Sequence, residues 1–367
     1  MASFEVLYDH QAFEMQRYGG ISRYFYELIT HLQAKPELAI RFFTNEYLHQ
    51  GDASLRRGAR FIPERPYKWF KGHIKKANKA YAIQRLQQSA APIFHATYHQ
   101  PYFFPHLGDK KYVLTVHDMN YELMPERFPK AQAVIEMKRQ TIARADRIIA
   151  ISQNTKDDLI RLLNVDPNKI DVVYHGVRAL DMSHYQTKLK LPKRYILFVG
   201  DRGVYKNFSQ LYKAFVQIAQ QDPDLQLICT GKPFHKRDLK QFAADGLRER
   251  IHLYRVSDYD LATLYQRALF FVFPSLYEGF GLPILEAFSY HCPALLSNRS
   301  CFPEIAGDAA LYFDPDHLHT LVEAMQRLLH DEALRSDLVR NGSEQVKQFT
   351  WEETAKQTLQ TYQMLLQ

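Results

Sequence analysis

The chain has 367 residues, 46% apolar and 24% charged, with a net charge of +7. This is long enough for two full cores, and the composition is that of a soluble protein. Three cysteines, Cys229, Cys292 and Cys301, with no C-x-x-C spacing give no basis for a disulfide scaffold or a thiolate zinc site.

The amino terminus carries Glu5 and Asp9 and no long apolar core, so it does not read as a signal peptide. No stretch reaches the roughly 18–20 apolar residues of a membrane span, and the chain reads as cytoplasmic. In the first half the apolar runs predict strands over 5–8, 40–43, 93–95, 113–116, 147–151 and 170–173, with helices over 21–33, 131–143 and 155–163. The pattern thins over 178–193, which is polar and contains Pro192. A second alternation predicts strands over 195–199, 225–230, 251–253, 270–273, 294–296 and 311–313. Helices are expected over 208–220, 261–267, 283–290, 318–330 and 351–366.

Strand–helix alternation in both halves predicts an α/β fold of two doubly wound parallel sheets. The expected domains are 1–180 and 194–350, joined by a linker at 181–193, with the cleft between them as the default site. Between Arg56 and Arg85 lie ten lysines and arginines against Glu64 alone, interleaved with Trp69, Phe70 and Ile74. Such a segment could lie on an anionic membrane surface or be a solvated helix face.

Several strand ends carry polar groups, where an open parallel sheet binds ligands. Gly19-Gly20 follows the first strand and opens a helix, so a ligand could approach the backbone closely. A full G-x-G-x-x-G is absent, which leaves nicotinamide and flavin binding without support. His95 and His99 have the spacing of a helical zinc pair but follow a strand-like run. Thr115-Val116-His117-Asp118 ends an apolar strand, where His117 could orient a sugar hydroxyl and Asp118 position the imidazole. His175-Gly176-Val177 reads as a turn. Gly200–Asn207 brings Arg202 and Lys206 to a helix start, where two cations suit a departing diphosphate. Asp222/Asp224 and Asp314/Asp316 flank prolines and read as turns, while Asp258/Asp260 read as helix caps; no metal site is expected. No Gly-x-Ser-x-Gly elbow or Walker loop appears.

The most informative stretch is Glu278-Gly-Phe-Gly-Leu-Pro-Ile-Leu-Glu286. It follows a buried run and pairs two carboxylates around an amide-rich turn, with Pro283 in the first helical turn. Glu286 can accept two hydrogen bonds from a sugar diol and Glu278 can do the same for a second sugar. The helix start between them can face phosphate. That set suits two sugars joined by a diphosphate.

Together these residues resemble the retaining glycosyltransferases of family 4, which have the two-Rossmann GT-B fold. The resemblance spans nearly the whole chain, including Phe349-Thr350-Trp351-Glu352. It implies that the last helix, 351–367, packs back on the first domain. It also implies a nucleotide-sugar donor held mainly by the second domain, with Glu286 on the ribose and Glu278 and the Gly279, Phe280, Gly281 and Leu282 amides on the sugar and phosphate. Arg202 and Lys206 would take the diphosphate, and Val256 and Ser257 the base. Gly19 and Gly20 would close the donor site from the first domain, with the acceptor against them and His117. Catalysis would fall to His117, Asp118, Arg202, Lys206 and Glu278, without metal or other cofactor. In many members the arginine directly follows the glycine, whereas here Asp201 intervenes.

The implied activity is transfer of a hexose, mannose first, to a glycan or lipid-linked acceptor in surface-polysaccharide synthesis (O-antigen, capsule or exopolysaccharide) at the inner membrane's cytoplasmic face. An epimerase or sugar phosphorylase of the same fold, or a non-catalytic nucleotide-sugar-binding protein, is the alternative. No recognition motif supports nucleic-acid binding despite the positive charge.

Overall fold

The computed structural model describes residues 4–367. It divides into one compact unit of Met1–Gly176 with Thr350–Gln367 and a second of Val177–Phe349.

The first unit contains β1 (Glu5–Asp9), β2 (Lys35–Ala39), β3 (Phe42–Phe43), β4 (Arg60–Phe61), β5 (Ile93–Ala96), β6 (Lys111–Val116), β7 (Arg147–Ala150) and β8 (Ile170–Val172). Six of these form a sheet in the order β2-β1-β5-β6-β7-β8, with every pairing parallel. Its central strands are covered on both faces, as crossover helices require, and read as unbroken apolar runs for that reason. Tyr8, Phe25, Leu28, Ile93, Val113 and Ile149 share one core cluster.

The strand expected at 40–43 is displaced. The residues that pair with β1 are Lys35–Ala39, while Phe42–Phe43 pairs with Arg60–Phe61 in a separate ribbon. An edge strand has one neighbour and one open side, so it tolerates Lys35 and Pro36 and shows no apolar run. Ile40 and Phe43 are buried in the same core without belonging to the sheet. Residues 64–85 of the basic stretch lie in one helix, Glu64–Gln88, of 25 residues, which buries only Ile74, Asn78, Ala82 and Leu86, while Arg56, Arg57 and Arg60 precede it.

The closing helix, Trp351–Leu365, packs in the first unit. Thr350 caps it by accepting from the Glu353 N–H at 3.2 Å. Tyr362 runs under the sheet, its hydroxyl 2.8 Å from that of Tyr8 and 2.6 Å from His95 Nδ1. His95 Nε2 meets the Thr115 hydroxyl at 2.9 Å, and Tyr24 meets the same hydroxyl at 3.2 Å. Buried polar groups need such partners, and the chain of bonds ties the last helix to β1, β5 and β6.

The second unit contains β9 (Tyr195–Phe198), β10 (Gln226–Cys229), β11 (Ile251–Leu253), β12 (Phe271–Phe273), β13 (Ala294–Ser297) and β14 (Ala310–Phe313). Their order is β11-β10-β9-β12-β13-β14, again all parallel. The strand order reverses between β9 and β12, which makes their carboxyl ends a topological switch point. Helices Phe208–Gln221 and Leu318–His330 pack on the core through Leu211, Phe215, Leu321 and Leu328. Helices Lys236–Ala244 and Glu332–Gln345 were not expected. The first is short and mostly charged, with its apolar stripe reduced to Leu239, Phe242 and Ala243, and the second buries only Leu338 and Gly342 and shows no clear stripe.

The segment read as a linker lies on the second unit. Leu180 N–H donates to the Tyr290 hydroxyl, and Tyr185 and Thr187 hydroxyls donate to Asp260 at 2.8 and 2.7 Å. The division of the chain falls at Gly176 rather than at 180. Among the described residues no helix is long and apolar enough to cross a membrane.

Candidate active site

In the second unit, the loop after β9 carries Gly200–Asn207 and the loop after β12 carries Pro274–Gly281. The Leu276 N–H donates to the Tyr205 carbonyl at 2.8 Å, so the two loops are bonded at the switch point. Lys206 Nζ lies 2.6 Å from Glu278 Oε1, and both side chains are mostly buried. The ammonium also sits 5.0 Å from the centre of the Phe273 ring, within reach of its negative face. Glu278 is fixed from a third loop: its N–H donates to the Ser300 hydroxyl at 3.1 Å, and its carbonyl accepts from the Cys301 thiol.

The helix that follows, Leu282–Ser289, begins at Gly281 in a left-handed conformation, φ +92°. A Cβ there would lie 2.9 Å from Ile284 Cδ1, so glycine meets both a backbone and a packing demand. Phe280 is buried edge-on to Phe349, which leaves its backbone rather than its ring for a ligand. Glu286 stands half-buried one turn into the helix, with the Tyr265 hydroxyl 3.3 Å from Oε2.

Arg202 takes a different direction from Lys206. It donates to the Thr230 carbonyl at 2.8 Å and lies over Phe234, 4.4 Å from the ring centre. There it edges an open pocket of about 640 Å³ whose lining includes Tyr205, Lys232 and His235. The intervening Asp201 holds Lys232, accepting from its N–H at 3.0 Å and its ammonium at 2.6 Å. Val256 and Ser257 follow the edge strand β11. Ser257 caps helix Asp258–Arg267 by accepting from the Asp260 N–H, a role expected of the aspartates. Asp314 accepts from the Asp316 N–H, and Arg299 pairs with both carboxylates.

In the first unit, Gly19 precedes helix Gly20–His31. The Gln16 carboxamide folds over Gly19, within 2.5 Å of where a Cβ would stand, and accepts from the Ser22 N–H at 3.1 Å. Gly20 has open space beside it. His117 follows β6, buried, with its ring edge-on to Tyr24 at 5.1 Å. Burial pushes its imidazole down to about 4, so it is neutral at pH 7. Its Nε2 has no hydrogen-bond partner among the described residues. Asp118 accepts from the Asn120 N–H at 3.1 Å. Its carbonyl accepts from Lys138 Nζ at 2.7 Å, and the same buried ammonium pairs with Glu122 at 2.8 Å. Lys138 escapes notice in the sequence because it is a lone lysine within a helix. His95 belongs to the polar chain under the sheet and His99 lies beside Thr141, so the two do not converge as a zinc pair.

Residues 182–345 match the family described as Glycosyl transferases group 1, and residues 18–179 match Glycosyltransferase Family 4. The chain is 30% identical to O-antigen chain mannosyltransferase B of Escherichia coli, across 94% of this chain and 96% of that one. It is 29% identical to O-antigen chain mannosyltransferase RfbU of Salmonella typhimurium, across 55% and 56% respectively. The fold is shared with sucrose-phosphate synthase from Thermosynechococcus elongatus (TM-score 0.76, 20% identity, 100% and 99% covered). It is also shared with WaaG, a glycosyltransferase of lipopolysaccharide biosynthesis (TM-score 0.73, 15% identity, 96% and 98% covered). Two parallel Rossmann-like sheets with this full-length similarity make the chain a member of the group 1, family 4 glycosyltransferases, with the GT-B fold.

Proposed function

We propose that this enzyme transfers a hexose, mannose first, from a nucleoside diphosphate sugar to a glycan or lipid-linked acceptor of a bacterial surface polysaccharide. The observation that carries this reading is the Lys206–Glu278 pair at the switch point of the second sheet, in a chain similar over nearly its full length to an O-antigen mannosyltransferase. On this reading the ion pair is a resting arrangement. An incoming diphosphate takes the ammonium and frees the Glu278 carboxylate to accept hydrogen bonds from the sugar hydroxyls. Arg202 turns from Thr230 to the same phosphates. Glu286 accepts from the ribose diol, the Gly279–Leu282 amides face phosphate, and Val256 and Ser257 border the base.

Breaking the sugar–phosphate bond moves negative charge onto the diphosphate, and fixed cations that meet that charge lower the barrier without metal. Neutral His117, with Asp118 beside it, binds a hydroxyl on the acceptor side, near Gly19 and Gly20. Retention follows if the acceptor attacks on the face from which the diphosphate departs. The lipid-linked acceptor places the reaction at the inner face of the membrane, and no nucleic acid is involved.

The test is a thermal-shift screen of nucleotide sugars, followed by NMR of the product anomer in the presence of EDTA. GDP-mannose is expected to raise the melting temperature by mass action and to give an α-linked product in chelator. Turnover without acceptor beyond slow hydrolysis would favour the epimerase reading. No donor-induced shift, or an unchanged shift in Glu286→Ala, would remove the donor assignment.

A further inference from the structure

The first unit contains a surface that the transfer reaction does not use. Helix Glu64–Gln88 rests on the core through Ile74, Asn78, Ala82 and Leu86, a narrow stripe at four-residue spacing. The opposite face carries Arg65, Trp69, Gly72, His73, Lys76 and Ala80, all exposed. Trp69 is 80% exposed and the adjoining Phe70 56%. Two large aromatics side by side in water are unusual on a solvated helix, whose outer face is ordinarily polar.

The charge around them has one sign. Glu64 is the one acid of the helix, and it is already taken by Lys68 at 2.6 Å and Arg17 at 3.2 Å. Arg85 is paired with Glu37. Arg65, Lys71, Lys75, Lys76 and Lys79 have no acidic partner among the described residues. Of these, Lys79 lies over the Tyr102 ring. Arg65 and Lys76 are left in solvent on the face of Trp69, whereas Lys71, three residues before Ile74, is exposed on the side of the buried stripe.

Unpaired cations around exposed aromatics match the headgroup zone of an anionic bilayer. There the indole sits at the level of the headgroups and the long basic side chains reach lipid phosphates. We propose that the outer face of helix Glu64–Gln88 docks on anionic lipid, with Trp69 and the adjoining Phe70 inserted between headgroups and Arg65 and Lys76 on the phosphates. The basic residues 56–60, outside the helix, are not part of this face.

The proposal concerns where the enzyme stands and not which sugar it transfers, so it is tested without any donor. The full-length protein is mixed with vesicles of phosphatidylcholine alone or of phosphatidylcholine and phosphatidylglycerol in equal parts. Co-sedimentation and tryptophan emission are recorded at low and high salt. Trp351, the other tryptophan, is buried, so a blue shift on binding reports Trp69.

Binding is expected to the anionic vesicles only, weakened by salt and accompanied by a blue shift that Trp69→Phe removes. A basic residue near an anionic surface contributes about fivefold in partitioning, so Arg65→Glu/Lys76→Glu should lower binding at least ~25-fold. Trp69→Ser/Phe70→Ser should lose the salt-resistant part. Equal sedimentation with neutral vesicles, no blue shift, or wild-type binding by both variants would overturn it. So would a dimer in gel filtration that Trp69→Ser/Phe70→Ser dissolves without any vesicle binding, since the face would then be a self-interface.

Discussion

Lys206 and Glu278 are far apart in sequence and touch only because β9 and β12 are neighbours at the point where strand order reverses. A charge pair of this kind gives a clear division of labour to test. Lys206→Met removes the cation that meets the leaving diphosphate, and turnover should fall by about two to three orders of magnitude. Glu278→Gln should lose turnover to a similar extent while the affinity for the nucleoside diphosphate stays near wild type, as titration calorimetry would show. If Glu278→Gln weakened nucleotide binding as much as Lys206→Met, the carboxylate would not be facing the sugar.

On the first unit, Lys138 makes a second prediction. Its ammonium is buried between the Asp118 carbonyl and Glu122, so it holds the loop that follows His117. Lys138→Met leaves the Glu122 carboxylate buried and alone, which should cost about 3–5 kcal/mol in urea denaturation. Lys138→Met/Glu122→Leu removes both charges and should recover most of that stability. Turnover should stay at least tenfold low because the loop has lost its clamp. Full activity in the double variant would assign the pair to folding alone.

At the scale of elements, Gly176 shows how tightly the last helix is seated. A Cβ at this position would stand 2.2 Å from the Trp351 nitrogen and 2.4 Å from the Thr350 carbonyl carbon. Both are backbone atoms that cannot rotate away, unlike a side chain. Gly176→Ala should therefore lift the start of helix Trp351–Leu365 off the first unit, with a loss of about 1–3 kcal/mol, comparable to overpacking a core. Thermal unfolding would measure it. An unchanged melting temperature would mean that the helix start has room to move. In the sequence the same glycine reads only as a turn, because a close approach by residues so distant along the chain leaves no local mark.

The twelve sheet strands illustrate the same limit from the other side. Buried strands such as β6 and β12 announce themselves by apolar runs because both faces are covered. The edge strand Lys35–Ala39 was misplaced onto 40–43 because one open side permits Lys and Pro. Helix Glu64–Gln88 reads in the sequence as a basic membrane-surface segment or a solvated helix face, without its bounds, because its buried stripe is narrow and includes Asn78. The carboxylates and glycines of 278–286 were legible because loop chemistry is local. The partners of Arg202 and Lys206 were not, since they depend on which strands end side by side.

At the scale of the whole molecule, buried histidines make stability a function of pH. Burial lowers His95 to about 3 and His117 to about 4, and lowers His99 and His175 well below their ordinary value. An unfolded histidine takes its proton near pH 6.5, while the folded protein keeps these four neutral at that pH. As pH falls below 6.5 the unfolded state therefore binds more protons, and folding stability drops. The loss from His117 runs from pH 6.5 to about 4 and that from His95 continues to about 3. Either residue shifts by enough to remove roughly 3 kcal/mol by pH 4, a large share of the 5–15 kcal/mol that holds a typical domain. Urea midpoints measured from pH 8 to pH 4 should be level above pH 7 and fall steeply below 6.5.

All four histidines lie in the first unit. Its acid unfolding should precede that of the second unit, which has no histidine among its described buried residues. The emission of Trp351, in the first unit's core, measured in Trp69→Phe, should change before the heat signal of the second unit. A single transition, with both units lost together at every pH, would show instead that the units unfold as one, and that the acid sensitivity of these imidazoles is shared by the whole enzyme.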